Sequence, residues 1–267
     1  MSDFYAHVYL SPHLDDAVLS CGGLIHQQVK AGQRPLVITL FAGPPPSNAD
    51  LSEFAQFQHA RAGHPEDLIT ARWAEDQAAL ALLGADYLRL NYPDCIYRGR
   101  GRAGRPDMNG DPGWYYASEQ ALFGPVHAAE QGLPGELAAT LNEMVPLGDG
   151  QMLYAPLTVG NHVDHQLAFA AALMLRTQGR QVRFYEDYPY ARNTDALSTA
   201  VAARGAQAWQ SVVMPLDEDD LAAKFQAIAC YESQLKVLFG NQETMAVQVR
   251  DYVKAVGGER LWQPDAV

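Results

Sequence analysis

The chain has 267 residues, of which 48% are hydrophobic and 19% are charged. This balance excludes a disordered or fibrous protein, and the length allows a large core without disulfide staples. The formal net charge of −12 argues against non-specific binding to nucleic acid or to an anionic membrane surface.

The elements predicted from apolar periodicity alternate between short strands and helices. In chain order, they are a strand over 6–10, a helix from Asp15, a strand over 35–41, a helix over 65–83, a strand over 87–90, a helix over 133–144, a strand over 152–155, a helix over 164–176, a strand over 182–185 and a helix over 217–238. This alternation favours βαβ units and a parallel sheet. We expect one α/β domain over residues 1–267, with a loop insertion around 98–116.

The cysteines and apolar runs bear on the compartment. The longest clean apolar run, 167–175, is about half the length of a membrane span, and the N-terminus lacks the basic start of a signal peptide. Three cysteines, Cys21, Cys95 and Cys230, form neither a CxxC pair nor a disulfide framework. We therefore expect a cytoplasmic protein without membrane insertion.

The loop around 98–116 is rich in glycine and arginine, and loops of this length are often functional. Its arginines are Arg98, Arg100, Arg102 and Arg105. They would either bind an anionic part of a substrate or only solubilise the loop. The aromatic run that follows, Trp114, Tyr115 and Tyr116, would either stack on a sugar ring or pack in the core.

Two short polar motifs follow predicted strands and open predicted helices. The first is Ser11-Pro12-His13-Leu14-Asp15-Asp16, and the second is His162-Val163-Asp164-His165. In an open α/β sheet, both would lie outside the carboxyl ends of strands, which is the usual position of a ligand. Their separation of about 150 residues is no obstacle, because strands distant in sequence pair in parallel sheets.

Together the motifs offer the donors of a catalytic zinc site. Such a site commonly has three protein ligands from histidine and acidic residues and an open position for water. His13, Asp16 and His165 would supply that set. Asp15 would remain close to the ion as a general base for the metal-activated water.

The second motif adds two further groups. His162 would donate a proton or stabilise an oxyanion, and we expect an imidazolium to face the developing charge. Asp164 would orient His162 or a ligand histidine, as carboxylates next to metal ligands do. Both groups would belong to the same hydrolytic site as the metal ligands and Asp15.

Plainer interpretations of the same residues remain open. Asp15 or Asp16 would serve only as a helix N-cap, and His162 and His165 would be surface loop residues. A metal-dependent phosphoesterase or a non-catalytic carbohydrate-binding protein would also suit the pattern, although a phosphoesterase often needs two metals.

The motifs resemble those of a known family. Residues 11–16 are similar to the AHPDD signature of the PIG-L / LmbE-like metal-dependent de-N-acetylases, and residues 162–165 to its HxDH motif. Between them, the helix containing Arg72 and Glu75 is similar to the family's RxxE helix, and Tyr92-Pro93-Asp94 to the strand end that follows. The resemblance spans residues 6–176. The segments 185–187 and 231–234 look like features of one bacterial branch.

The resemblance implies a Rossmann-like fold, with a mostly parallel sheet flanked by helices, and one zinc ion per chain. It makes His13, Asp16 and His165 the ligands, Asp15 the base and His162 the electrostatic or acid residue. Iron(II) or another divalent ion would suit the same ligands. The implied activity is hydrolysis of the N-acetyl group of an N-acetylglucosamine-type sugar or conjugate.

Two further residues are predicted to contact a small amino-sugar substrate. Arg72 would reach a hydroxyl or phosphate from its helix, or pair with Glu75 on the surface. Asp94 would bind sugar hydroxyls, or serve as a turn residue. The sequence leaves an oligomer open.

Overall fold

A seven-stranded sheet runs through the centre of the molecule. The structure is a computed structural model that describes residues 4–45, 51–63, 67–99, 113–145, 150–204 and 209–264. The strands are β1 (His7–Ser11), β2 (Pro35–Thr39), β3 (Asp86–Arg89), β4 (Met152–Pro156), β5 (Gln181–Tyr185), β6 (Trp209–Met214) and β7 (Glu259–Pro264). Their order across the sheet is β3-β2-β1-β4-β5-β7-β6. Strands β1 to β5 pair in parallel, and β7 runs antiparallel to both of its neighbours.

Helices cover both faces of the sheet. They are α1 (Asp16–Lys30), α2 (Glu53–Arg61), α3 (Leu68–Leu83), α4 (Glu119–Leu122), α5 (Leu133–Met144), α6 (Val163–Thr177), α7 (Thr194–Ala202), α8 (Glu218–Ala229), α9 (Glu232–Leu238) and α10 (Gln242–Val256). Short 3₁₀ helices occupy Cys95–Tyr97, Ala128–Glu130 and Tyr190–Arg192. The expected α/β fold with a mostly parallel sheet is confirmed. Within the described ranges, no helix combines the length and apolarity that a bilayer crossing needs.

Strands β1, β2 and β4 are buried on both sides, as their apolar sequences predict. In β1, Val8 and Leu10 pack into a core shared with α5, α6 and α7. Tyr9 between them packs into the opposite core, which α1, α3, α8 and α10 cover. The period-two alternation of strand side chains therefore divides the apolar residues between two layers of helices.

The predicted helix over 217–238 is two helices, so this prediction is wrong in its length. Helix α8 ends before Cys230, and Tyr231 adopts a non-helical conformation before α9 begins. The buried Tyr231 hydroxyl donates to Asp76 at 3.0 Å, and the Glu75 carboxylate accepts from the Ser233 backbone N–H at 2.7 Å. These bonds to α3 compensate for interrupting the helix, because they satisfy the donor exposed at the new helix start.

The loop predicted around 98–116 is described only at its ends. Gly99 and Trp114 form an isolated antiparallel bridge, and the Tyr115 N–H donates to the Arg98 carbonyl at 3.0 Å. Residues 100–112, which include Arg100, Arg102 and Arg105, lie outside the described residues. The two described ends of the segment therefore lie next to each other, beside Arg98.

The order of the strands determines where a ligand can bind. Strand β1 has β2 on one side and β4 on the other, so the direction of chain progression reverses at this point. A crevice forms outside the carboxyl ends of two strands at such a reversal. The segments that leave β1 and β4 carry the two polar motifs, which the fold thus brings to one crevice.

A buried ion pair joins α1, α8 and β7. Lys224 Nζ lies 2.6 Å from Glu259 Oε1, and both side chains are almost completely buried. The same carboxylate accepts the backbone N–H groups of Gly23 at 3.0 Å and Leu24 at 2.8 Å. The approach is close, because a Cβ atom at Gly23 would lie 2.5 Å from Leu216 Cδ1.

Replacing this lysine tests the contribution of the ion pair to stability. We expect Lys224→Met to lower the free energy of unfolding by about 3 kcal/mol, because the Glu259 charge stays buried after losing its partner. Urea denaturation followed by circular dichroism measures the change. Arg250→Met, which breaks the solvent-exposed pair with Glu218, is the control and should lose much less. Equal losses in the two variants would contradict the assignment.

Candidate active site

The turn after β1 is held by its own polar side chains. The Ser11 hydroxyl donates to the His13 carbonyl at 2.5 Å and accepts from the Ala17 N–H at 3.0 Å. Asp16 Oδ2 accepts from the His13 N–H at 2.8 Å. The first turn of α1 is therefore stabilised by Ser11 and Asp16, and the side chain of Asp15 makes no cap bond to the described part of α1.

The two motifs meet at one carboxylate oxygen. Asp16 Oδ2 lies 3.2 Å from His13 Nδ1 and 3.2 Å from His165 Nε2. Two ligands about 2.0–2.1 Å from one zinc at the tetrahedral angle are about 3.3 Å apart, so these separations match those of ligands sharing one ion. His13, His162 and His165 also each offer a nitrogen within 4.8 Å of the others.

A second carboxylate orients each of the two histidines that face Asp16. His13 Nε2 lies 3.0 Å from Asp164 Oδ2, and His165 Nδ1 lies 2.6 Å from Asp187 Oδ1. Metal-binding histidines usually donate their other ring N–H to such a group, which determines the tautomer. The donor set and its supporting carboxylates therefore fit a divalent metal held by His13, Asp16 and His165.

The buried charges favour protons on these histidines when the metal is absent. Burial alone would lower the pKa of His165, but Asp16 and Asp187 outweigh it and raise the pKa to about 10. The pKa of His13 is also raised well above its usual value, because Asp94, Asp16 and Asp164 outweigh burial. A metal ion would replace these protons, since a ligand imidazole must be neutral.

His162 has a different environment from the other two histidines. Its Nδ1 accepts the N–H of Asp164 at 3.2 Å and caps α6. Burial, together with the charges of His13 and His165, holds the pKa of His162 well below its usual value. This environment favours a neutral ring with its proton on Nε2, whereas the imidazolium expected from the sequence concerns the catalytic state and stays a prediction. The neutral ring remains a hydrogen-bond donor.

Arg72 contacts Asp15 and does not pair with Glu75. Arg72 Nη2 lies 2.7 Å from Asp15 Oδ1. The Glu75 carboxylate instead accepts from the backbone and hydroxyl of Ser233, so the proposed surface pair is wrong. Burial raises the pKa of Asp15, and Arg72 opposes that rise.

Asp164 is completely buried at the start of α6. Besides His13, it accepts the Cys95 N–H at 3.1 Å and lies 2.6 Å from Arg98 Nη2. Burial would raise the pKa of Asp164, but Arg98 and His13 lower it. The side chain of Asp164 thus contacts His13, and its backbone N–H donates to His162 Nδ1.

Arg98 is part of the protein interior. Its guanidinium also pairs with Glu130 at 2.6 Å, and Tyr116 donates to the same carboxylate at 2.7 Å. Tyr115 stacks on His127, with 4.1 Å between the ring centroids. The described residues of this region therefore pack and pair internally, so binding of a substrate anion by Arg98 is not supported.

A cavity of about 310 Å³ opens above these residues. Its floor is polar and includes His13, Asp15, Asp16, Asp94, His162 and His165. Its remaining lining is mixed, with apolar Leu68, Ile69, Ile96, Leu122, Val237 and Leu238 beside polar Gln58, Arg61, Glu119 and Gln234. Arg72, Tyr188 and Tyr190 also line it.

Asp94 has the turn role considered for it and also lines the cavity. Its Oδ1 accepts the N–H of Ile96 at 3.2 Å and caps the 3₁₀ helix that follows, as a turn residue does. Its Oδ2 lies 3.8 Å from His13 Nε2 on the cavity floor. The carboxylate is therefore placed to meet a polar ligand.

Asp187 contacts His165, and no role was predicted for it from the sequence. It follows β5, the next parallel strand beyond β4, and its Oδ2 accepts the N–H of Val159 at 2.8 Å. The available signal was a carboxylate at the carboxyl end of a predicted strand. Its role depends on contact with His165, which spacing alone does not show.

Comparison with known proteins agrees with this geometry. The family model for GlcNAc-PI de-N-acetylase (PIG-L) matches residues 8–176. The chain belongs to the PIG-L family. It is 30% identical to the 2'-N-acetylparomamine deacetylase of Niallia circulans, covering 90% of this chain and 84% of that protein. Its identity to the enzyme of the same description from Streptomyces fradiae is 29%, over 76% and 65% of the respective chains.

A solved structure extends the likeness to nearly the whole chain. The zinc-inhibited form of a teicoplanin deacetylase superposes with a TM-score of 0.75 at 28% identity, covering 96% of each chain. These relatives are deacetylases of sugar-type substrates, and PIG-L deacetylases depend on a metal. The chain is an N-deacetylase, and the expected family is confirmed.

Removing the carboxylate beside His165 tests the metal centre. We expect Asp187→Asn to weaken metal binding roughly 10–100-fold, because the histidine loses the charge that orients its ring. Titration of the metal-free protein with zinc against a chromophoric chelator measures the affinity. Asp251→Asn, at an exposed position of α10, is the control. Unchanged affinity in the Asp187 variant would refute the supporting role.

Proposed function

We propose that the protein is a zinc-dependent hydrolase that removes the N-acetyl group from an N-acetylglucosamine-type sugar or conjugate. The observation that carries this proposal is the approach of His13 and His165 to one oxygen of Asp16 on the floor of a cavity. These three residues would hold one zinc ion per chain. Iron(II) or another divalent ion would suit the same donors.

The ion would supply a Lewis acid that lowers the pKa of water to about 7. Asp15 takes the proton of the attacking water, whose oxygen forms a bond to the carbonyl carbon of the acetamide. His162 donates its Nε2–H towards the developing oxyanion, as a neutral oxyanion-hole donor does. The C–N bond then breaks, the amine takes the proton that Asp15 had accepted, and the acetic acid formed leaves as acetate after releasing its own proton to solvent.

The supporting residues keep these groups in place. Asp164 and Asp187 hold the rings of His13 and His165 by the bonds described above. Asp94 is proposed to bind a sugar hydroxyl from the cavity floor. Arg72, for which substrate contact was predicted from the sequence, lines the same cavity and holds Asp15.

The shape of the cavity suits an amino sugar that carries a larger group. About 310 Å³ is at the low end of small-molecule sites and holds roughly one sugar unit. The mixed apolar and polar residues of the remaining lining would then meet whatever is attached to that unit. The relatives act on acetylparomamine or are deacetylases of the teicoplanin type, which supports a conjugated sugar as substrate.

The proposal also covers the domain organisation, the compartment and the oligomeric state. We propose that residues 1–267 form one catalytic domain and that the enzyme acts in the cytoplasm. Cys21 and Cys95 are buried free thiols in the described structure, which supports a reducing compartment. An oligomer remains compatible with the site.

Metal content and acetate release test the assignment together. We expect Asp15→Asn to keep one zinc per chain and to lower turnover about 10²–10⁴-fold, because the base is removed and the ligands remain. His165→Ala should lose the metal itself. Elemental analysis and acetate release from N-acetylated sugars, including chitobiose-like oligosaccharides and N-acetylglucosamine conjugates, measure the two effects.

The two variants separate the parts of the proposal. Full turnover by Asp15→Asn would refute its role as base. Undiminished zinc in His165→Ala would refute the ligand set. Two tightly bound zinc ions with phosphate-ester cleavage would favour a phosphoesterase, and sugar binding without acetate release a carbohydrate-binding protein.

A further inference from the structure

We propose that Arg72 is a positioning residue, which orients the carboxylate of Asp15 for proton transfer, and that this role outweighs any contact with substrate. The inference rests on the proposed function, in which Asp15 is the base. It assigns Arg72 a role that differs from the substrate binding expected from sequence.

The contact between the two side chains is short and shielded from water. Arg72 Nη2 lies 2.7 Å from Asp15 Oδ1, and the side chains of Arg72 and Asp15 are only 12% and 7% exposed. Charge-assisted hydrogen bonds of this length are among the stronger ones in proteins. At this burial, the pair loses little to solvent screening.

Asp15 needs such a partner because its helix does not hold its side chain. Asp15 occupies the N-cap position of α1, but it makes no side-chain cap bond there within the described structure. Ser11 and Asp16 form the polar bonds of the turn instead. Arg72 holds Oδ1 of the carboxylate, so the proposal assigns the proton of the attacking water to Oδ2.

The helix that carries Arg72 is fixed on several sides. Trp73 Nε1 donates to the Ala42 carbonyl at 3.0 Å, and Asp76 accepts from the buried hydroxyl of Tyr231. Glu75 accepts both the N–H and the hydroxyl of Ser233 at the start of α9. A guanidinium on so well anchored a backbone can hold a carboxylate with little loss of entropy.

This placement of Arg72 leaves one nitrogen of its guanidinium without a hydrogen bond. Arg72 Nε is buried and has no hydrogen-bond partner among the described residues. A buried donor without a partner is unfavourable, because it has lost its hydrogen bonds to water. The structure accepts this cost while keeping Nη2 on Asp15, which is expected where the placement of one bond matters for function.

A double-mutant cycle distinguishes positioning from substrate binding. The variants are Arg72→Ala, Asp15→Asn and the combination of both, assayed for acetate release with saturating zinc. A residue that acts only through another adds nothing once that other is gone. We expect Arg72→Ala to lower kcat about 10²-fold with little change in KM, and to add less than about 3-fold to the loss in Asp15→Asn.

Two further measurements depend on geometry more than on folding. Arg72→Lys should recover only part of kcat, because an ammonium lacks the planar fork of a guanidinium. Added guanidinium ion at millimolar concentration should raise kcat of Arg72→Ala, since it refills the position beside Asp15. Arg250→Ala, which breaks an exposed pair with Glu218, is the control for loss of an arginine. It should keep the kcat of the unmodified protein, and added guanidinium ion should not change that kcat.

The outcomes separate this inference from the proposed function. A rise in KM without loss of kcat in Arg72→Ala, or losses that multiply in the double variant, would overturn the positioning role and leave Asp15 as base. Full activity of Asp15→Asn would instead overturn the base assignment. If Arg72→Ala does not fold, as judged by circular dichroism and zinc content, the KM and kcat of Arg72→Lys decide between the two roles.

Discussion

One carboxylate oxygen lies between two imidazoles, and the rest of the centre is arranged around it. Asp16 Oδ2 is 3.2 Å from a nitrogen of His13 and 3.2 Å from a nitrogen of His165, which come from motifs about 150 residues apart. This contact requires β1 and β4 to be neighbours with their carboxyl ends at the same edge. The reversal of strand order meets that requirement. The chemistry therefore follows directly from the topology of the sheet.

The electrostatic balance of the centre depends on what occupies it. Asp16, Asp164 and Asp187 face His13 and His165 in a buried space, and protons on the rings compensate for the carboxylates when no metal is bound. A divalent ion would take over this compensation, because its binding releases the protons of the ligand rings. His162 lies beside these charges but is not stabilised as a cation. It is thus suited to donate a hydrogen bond without carrying a charge of its own.

Much of the fold was predictable, because the strands have continuous apolar sequences and the helices regular periodicity. The helix over 133–144 has the predicted limits, and the two motif-bearing turns follow strands as expected. Strands β6 and β7 were missed. Strand β6 lies at the sheet edge with mostly exposed side chains, so it has no apolar pattern to recognise. The division of 217–238 into two helices depends on bonds to α3, which no local signal shows.

The site was predictable where a motif places its own donors side by side. His13, Asp15 and Asp16 are close in sequence, and chemistry alone proposes roles for them. The contacts of Asp187 with His165 and of Arg72 with Asp15 join different strands and helices, so spacing does not show them. The pKa of His162 is lowered by burial and by the charges of His13 and His165, which are properties of the folded state that the sequence does not show.

The placement of α9, away from the segments that carry the metal donors, has a consequence for how relatives can diverge. Residues Gln234, Val237 and Leu238 of α9 line the cavity, whereas the donors of the metal centre come from the segments that follow β1 and β4. Helix α9 is joined to α3 mainly through Glu75 and Ser233, at the end of α9 where it begins. Exchange of the α9 side chains would therefore reshape the space for the group attached to the sugar, while the hydrolytic residues keep their positions. New substrates could in this way be acquired without rebuilding the catalyst.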